Sequence, residues 1–285
     1  MVGTQDALFG DETLVEEAKP SSDAPQTKRV LITVKAAPNP SQNYGETVCV
    51  AGIRYDDLGN RGWIRLYPIN FRHLESTEQF TKYDVVSVDC KPARQDGRLE
   101  SWRPIMDTMR RETHLKGWPK RRPWVDSLIE GDMCGLRKAA EADPKAQSLA
   151  LIRPTDIGGI TVEEHPGWSS AEQAKIDAYV GQLDLFDTAD KTPLEAPEYR
   201  GIYHWRRANP ACGGHNQTVL DWEFVALQRN LRRDYGPTET QHRLKGRWLD
   251  DMCAPGRETA FYVGNQAKRP QTFSILGVYW PRATD

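Results

Sequence analysis

Four short stretches of alternating apolar residues, all within residues 29–90, constrain this chain more than any other feature. The first, 29–35, carries Val30, Ile32 and Val34 at every second position; 47–54, 63–67 and 85–90 follow as further strand-like runs. A period of two fits a strand with one buried face. Between these runs lie Asn39-Pro40, Asn43-Tyr44-Gly45 and Asp57-Leu58-Gly59-Asn60, which suit hairpins and open turns. Four strands set so closely along a chain predict a small barrel.

The rest of the chain divides by pattern. Residues 1–27 are acidic, rich in Ser, Pro and Asp and without periodicity, which predicts a disordered tail. A helix is expected over 125–142, with Leu128, Ile129, Leu136 and Ala139 facing inward. Strands at 148–153 and 159–163 would then complete an N-terminal unit spanning 28–167. Residues 168–197 read as a linker, helical at first and then loose. The last part, 198–285, begins with an extended piece at 199–206. Helices follow at 218–235, where Leu220, Phe224, Leu227 and Leu231 keep the helical period, and at 238–252. Strands at 260–263 and 272–279 close it. The expected fold is therefore α+β: a small N-terminal barrel plus a C-terminal α+β unit.

Composition excludes some functions. A formal charge of -2 rules out a protein that is basic overall, so any contact with a polyanion must come from local patches. No apolar run is long enough to cross a bilayer and no secretory signal is present, so no membrane partner is expected. The five cysteines are odd in number and widely spaced, which argues against a disulfide framework and for a reduced, cytoplasmic setting.

Gln182-Leu183-Asp184-Leu185-Phe186 resembles the peptide by which many bacterial polymerases and repair proteins dock on the DNA sliding clamp. Leu185 and Phe186 would fill one pocket, Leu183 would add a smaller anchor, and the Gln182 amide would hydrogen-bond at the rim. The other reading is a helix end packing Ile176, Tyr179, Val180, Leu183 and Phe186 on a core. A poorer echo of the peptide, Gln5-Asp6-Ala7-Leu8-Phe9, lacks the second Leu.

Residues 46–53 (Glu-Thr-Val-Cys-Val-Ala-Gly-Ile) and 62–68 (Gly-Trp-Ile-Arg-Leu-Tyr-Pro) resemble the opening hairpin of bacterial dual-OB-type domains linked to nucleic-acid modification. The resemblance implies an OB-like barrel that stacks single-strand bases on aromatic residues. Trp63, Arg65 and Tyr67 alternate along one strand and so share one face, as such a platform needs. Trp63 and Tyr67 as core residues, with Arg65 paired, is the competing account. The strongest basic run, 102–124, interleaves Arg103, Arg110, Arg111, Lys116, Lys120, Arg121 and Arg122 with Trp102, Trp118 and Trp124; only Asp107 and Glu112 oppose them. These residues suit phosphate contact and base stacking, although a solvated surface has the same composition. Pro119 and Pro123 are expected to hold Lys120-Arg121-Arg122 on a loop.

Cys212-Gly213-Gly214-His215 is half of a possible zinc site, with His204, Cys253 or His242 to supply the rest. Alternatively, His215, Asp221 and Glu223 would serve a magnesium-dependent nuclease as base and metal ligands. The helical period favours Asp221 as a first-turn carboxylate instead, with Glu223 paired to an arginine. Together with Asp221-Trp222-Glu223 and the segments 261–264 and 275–281, this turn resembles an uncharacterised bacterial family with a Cys-x-Gly-His turn. Relatives there often carry a further Cys near position 207, where this chain has Arg207. Phosphate loops, GxSxG elbows and HExxH motifs are absent from the sequence. The expected function is that of a bacterial DNA-associated protein that docks on the sliding clamp and touches DNA or RNA. The alternatives are a metal-dependent nuclease and a zinc-stabilised interaction module.

Overall fold

A computed structural model describes residues 18–42, 45–69, 80–181 and 193–285. The four expected N-terminal strands form as β1 (Gln26–Lys35), β3 (Gly45–Tyr55), β4 (Arg61–Ile69) and β5 (Asp84–Pro92), with β2 (Asn39–Ser41) a short strand beside β3. A fifth barrel strand, β6 (Ser101–Pro104), pairs in parallel with β4 and antiparallel with β5, and β5 pairs back to β1. The ring β1-β3-β4-β6-β5 is thus closed, with the strand order of an OB-like barrel. One further strand, β7 (Arg110–His114), pairs with Asp84–Ser87 at the start of β5, on the edge whose other end pairs with β6.

Alternation sorts the barrel residues into two sets. Val30, Ile32, Val50, Ile64, Leu66, Val86, Val88 and Trp102 point inward and fill the barrel. Leu31, Ala51, Ile53, Trp63 and Val85, at the intervening positions, form a second core with Leu149, Leu151, Tyr262, Leu276 and Tyr279 of the C-terminal half. The barrel is therefore apolar on both faces along β1, β3 and β4. Gly52 permits the closest approach within it: a Cβ there would overlap the Leu31 carbonyl oxygen and lie 2.8 Å from Val30 Cγ1.

The C-terminal half has two small sheets. One has the order β14-β13-β9-β8, built from β8 (Ile129–Glu130), β9 (Leu149–Ile152), β13 (Ala260–Gln266) and β14 (Arg269–Tyr279). The other joins β10 (Asp156–Glu164), β11 (Tyr199–Arg206) and β12 (His215–Thr218). Helices α4 (Trp222–Leu231) and α5 (Pro237–Lys245) pack on this half, and a π-helical turn, Gly246–Asp251, extends α5 toward the expected end at 252.

Several expectations need correction. The strands at 148–153 and 159–163 do not complete the N-terminal unit: β9 pairs with β13 and β10 with β11. The helix expected over 125–142 is interrupted. Helix α1 (Trp118–Val125) ends early, Ile129 enters β8, and Asp132 starts α2 (Met133–Ala142) by accepting a hydrogen bond from the Gly135 N–H at 2.8 Å. Lys120, Arg121 and Arg122 lie on α1 rather than on a loop, because Pro119 occupies the first turn, where its missing N–H goes unused. Helix α4 starts only at Trp222, since Thr218 belongs to β12. The tail reading does not hold for 18–27: Lys19 Nζ donates to the Ala93 and Asp96 carbonyls, Asp23 pairs with Arg94, and β1 begins at Gln26.

Within the segment read as a linker, α3 (Ser170–Val180) starts with a reciprocal Ser169–Glu172 cap and buries Ile176. Beyond the linker's middle, Leu194 is buried and its carbonyl accepts from Trp168 Nε1 at 2.8 Å.

Gly52→Ala is expected to lower the unfolding free energy by about 1–3 kcal/mol through overpacking. Gly97→Ala, where an added Cβ meets nothing within 4 Å, serves as the control in the same urea titration. Equal stability of the two variants would show that the strands separate at Gly52 without penalty.

Candidate functional site

Three places concentrate chemistry, and the first is the β3–β4 face. Trp63 and Arg65 do share a face, as their alternation requires, but that face lies against the C-terminal half. Trp63 is 7% exposed and meets the Tyr262 ring edge-on at 6.4 Å. Arg65 is 4% exposed; its Nη1 lies 3.2 Å from Cys49 Sγ and its Nη2 donates to the Ser148 carbonyl at 3.3 Å. Only Tyr67 of the three is exposed, and its hydroxyl pairs with Thr47. A base-stacking platform at Trp63 and Arg65 is therefore overturned.

The basic run 102–124 separates into structural and free-facing members. Trp102 is buried in the barrel. Trp118 meets Tyr83, Tyr279 and Trp280 edge to face. Trp124 packs on Tyr55 with the Arg61 guanidinium beside it. Arg121 lies 3.9 Å over the Tyr83 ring and donates to the Leu115 carbonyl, while Arg122 pairs with Asp126 and Glu258. These arginines and tryptophans tie α1 to both halves. Arg103, Arg110, Arg111, Lys116 and Lys120 are exposed. Arg103 sits on β6, Arg110 and Arg111 on β7, Lys116 between β7 and α1, and Lys120 in the first turn of α1.

The second place is the seam between barrel and C-terminal half. Lys82 Nζ lies 2.6 Å from Asp221 Oδ2 and 3.0 Å from Glu223 Oε2. Asp221 also caps α4, accepting from the Glu223 N–H at 2.9 Å. Asp221 is thus the N-cap rather than a first-turn residue, because α4 starts at Trp222, and Glu223 pairs with a lysine rather than an arginine. Burial pushes Asp221 up to about 6, against the pull of Lys82. Burial opposes the Lys82 charge too, but the two carboxylates outweigh it and raise its pKa above the ordinary lysine value. Asp221 and Glu223 are committed to this cation, and His215 belongs to another cluster, so the structure does not assemble the expected His215/Asp221/Glu223 nuclease centre.

That other cluster is the third place. Cys212 Sγ lies 3.4 Å from His215 Nε2, and Cys134 Sγ, from the start of α2, lies 3.6 Å from the same nitrogen. All three ligand atoms fall within 4.8 Å of one another. The turn is held by Asn209, whose carbonyl accepts from the Cys212 N–H at 2.9 Å, and by Gly214 at φ +93°, a conformation that favours glycine. Trp205, opposite His215 in the β11–β12 register, packs its ring on the imidazole at 4.5 Å. Asp132 caps α2 and pairs with Arg207, which brings Cys134 over the turn. Backbone N–H groups of Arg207 and Gly214 draw the Cys212 thiol below its ordinary pKa; burial raises that of Cys134. Burial, helped by Arg137 and Arg207, lowers that of His215.

The other expected metal ligands lie elsewhere. His204 is hydrogen-bonded to Thr161 and Asn216. Cys253 Sγ sits by the Trp248 carbonyl at 3.5 Å and near the Tyr203 hydroxyl. Cys134 was missed because nothing within the sequence near it marks a ligand; a cysteine at the first turn of a helix was the only signal. Gln182, Leu183, Leu185 and Phe186 lie outside the described residues, as does the 5–9 echo.

A family model described as a domain of unknown function, DUF8757, matches residues 130–285, more than half of the chain. The chain belongs to this family. The DUF8757 segment holds both small sheets except Ile129 of β8, together with α2 to α5 and the Cys/Cys/His cluster. A second domain of unknown function, DUF8758, matches residues 26–127 and so covers the barrel, β7 and α1. Comparison with curated proteins gives no match.

Lys35 supplies a pH test of the seam. Burial, and then the neighbouring Lys82 charge, pull its ammonium down to about 8. Between that value and the ordinary 10.5, the unfolded chain holds a proton that the folded chain has released. Stability therefore rises with pH across this window, and the cost of the buried charge is fully present below it. The unfolding free energy of the protein minus that of Lys35→Met is expected to climb across the window by an amount on the order of a few kcal/mol. A difference independent of pH would mean that Lys35 titrates normally in the fold.

Proposed function

We propose that this chain is a bacterial nucleic-acid-binding protein that is recruited to DNA by the sliding clamp. The observation that carries the nucleic-acid reading is a set of exposed cations on an OB-like barrel and the segment after it: Arg103 on β6, Arg110 and Arg111 on β7, Lys116, and Lys120 on α1. Two exposed acidic residues, Asp107 and Glu112, lie among them, and Glu112 is already paired with Arg29. Phosphate contact by such a row is sequence-independent and salt-dependent. The usual β3–β4 face of the barrel is covered, so the ligand lies along β7 instead.

Clamp recruitment rests on the sequence Gln182-Leu183-Asp184-Leu185-Phe186. The last described residues before it, Val180 and Gly181, are exposed at the end of α3, a starting point on the surface for a docking peptide. A cytoplasmic setting goes with this reading and with five free cysteines. Among the described residues, no helix is long and apolar enough to cross a membrane.

Two assays test the two parts separately. Anisotropy of labelled single-stranded DNA over a salt series is expected to show linear log–log dependence, with the slope reduced by about 2 in Arg110→Ala/Arg111→Ala/Lys120→Ala. No binding at low salt, or an unchanged slope, would remove β7 as the contact. Binding to a purified bacterial clamp is expected for the full chain and lost in Leu185→Ala/Phe186→Ala, with DNA affinity intact. A clamp that ignores the full chain would overturn recruitment alone.

A further inference from the structure

We propose that Cys134, Cys212 and His215 bind one zinc ion, with the fourth coordination position left to water. The separations support this directly. With Zn–S near 2.3 Å, Zn–N near 2.0–2.1 Å and tetrahedral angles, sulfur and nitrogen on one zinc stand about 3.6 Å apart. Both thiols lie at that separation from one nitrogen, His215 Nε2, at 3.4 and 3.6 Å. Neutral packing would not require two thiols from segments far apart in sequence to converge on one lone pair.

The surroundings fit a metal centre in three further ways. The ligands come from a helix start and a tight turn that are fixed independently, by the Asp132 cap and the Asn209–Cys212 turn. Trp205 holds the imidazole plane, so His215 needs no reorientation to present Nε2. Backbone N–H groups of Arg207 and Gly214 face the Cys212 sulfur, the kind of partner that supports a ligating thiolate. On binding, each thiol releases its proton, and two thiolates with a neutral imidazole balance the two charges of the ion. Three protein ligands make an open site rather than the closed four-ligand kind. Among the described residues the cluster contains no fourth Cys, His, Asp or Glu. The site ties α2 to the β11–β12 turn and differs from the set expected from sequence: Cys134 takes the place of His204 and Cys253.

The test uses the full chain. Metal analysis after dialysis is expected to find about one zinc per chain. Replacement by cobalt is expected to give a thiolate-to-cobalt charge-transfer band and tetrahedral visible bands. Cys134→Ser and Cys212→Ser should each lose the metal and weaken that band. Cys253→Ser and His204→Asn should keep both, which separates this ligand set from the alternative one. Should the serine variants fail to fold, the cobalt spectrum of the unaltered chain still decides. Absence of both bound zinc and the charge-transfer band would overturn the proposal. So would full metal content in both serine variants, or a Cys134–Cys212 disulfide in protein purified under reducing conditions.

Discussion

Asp221 has no exposed side-chain surface, and three separate parts of the chain meet at it. It caps α4, its backbone bridges to Ala36 just past β1, and its carboxylate receives the ammonium of Lys82, which precedes β5. Next to it, Ala37 N–H donates to the Leu220 carbonyl at 2.8 Å, and Leu220 N–H donates to Ile275 in β14 at 2.7 Å. One carboxylate thus fixes the barrel, the last sheet and a helix start relative to one another. A buried pair of this kind adds little net stability, since desolvation offsets the attraction. Removing one partner, however, strands the other charge at a cost of about 3–5 kcal/mol. Its effect is on geometry: the pair holds the halves in the register seen here. Gly277 belongs to the same constraint, because a Cβ there would stand 3.4 Å from Asp221 Oδ2 and 3.6 Å from Lys82 Nζ.

That register decides which surfaces are left for function. Once Asp221 is seated, β3 and β4 lie against β9, β13 and β14, and the face that OB-like barrels commonly offer to ligands becomes core. Arg65 shows the consequence. It is an arginine on a barrel face, yet its guanidinium ends at the Ser148 carbonyl and the Cys49 sulfur. Exposed cations remain on β6, β7 and α1, where Arg103, Arg110, Arg111 and Lys120 face solvent.

The N-terminal strands were legible because each keeps one apolar face at period two, a signal carried by side chains a few residues apart. What alternation does not report is whether the second face meets water or protein. Trp63 and Arg65 were placed on one face correctly and assigned the wrong neighbour for that reason. The interrupted helix at 125–142 was missed for a local cause: Leu128, Ile129 and Leu136 satisfy a helical period, but Asp132 competes as a cap and restarts the helix. The assignment of β9 and β10 failed because sequence proximity favoured the barrel, whereas both pair with strands from much later in the chain, which local pattern cannot show. Arg121 and Arg122 looked like phosphate ligands; Tyr83 and Glu258, from other segments, turn them into ties between halves.

At the Cys/His turn a single step of strand register decides which residues meet. His204 and Trp205 are neighbours on β11, and either could have faced His215 across the ladder. The register pairs Trp205 with His215 and His204 with Asn216. Adjacent strand residues point to opposite faces, so the imidazole of His204 goes to Thr161 and Asn216 while the Trp205 ring packs on His215. A slip of one residue would have put His204 in the cluster and the tryptophan outside it. Because the turn at Asn209 and Gly214 sets that register, the glycine at φ +93° helps select the ligands without touching them. Cys134 then enters from α2, whose start is set by Asp132 and Arg207 rather than by any feature of the turn's own sequence.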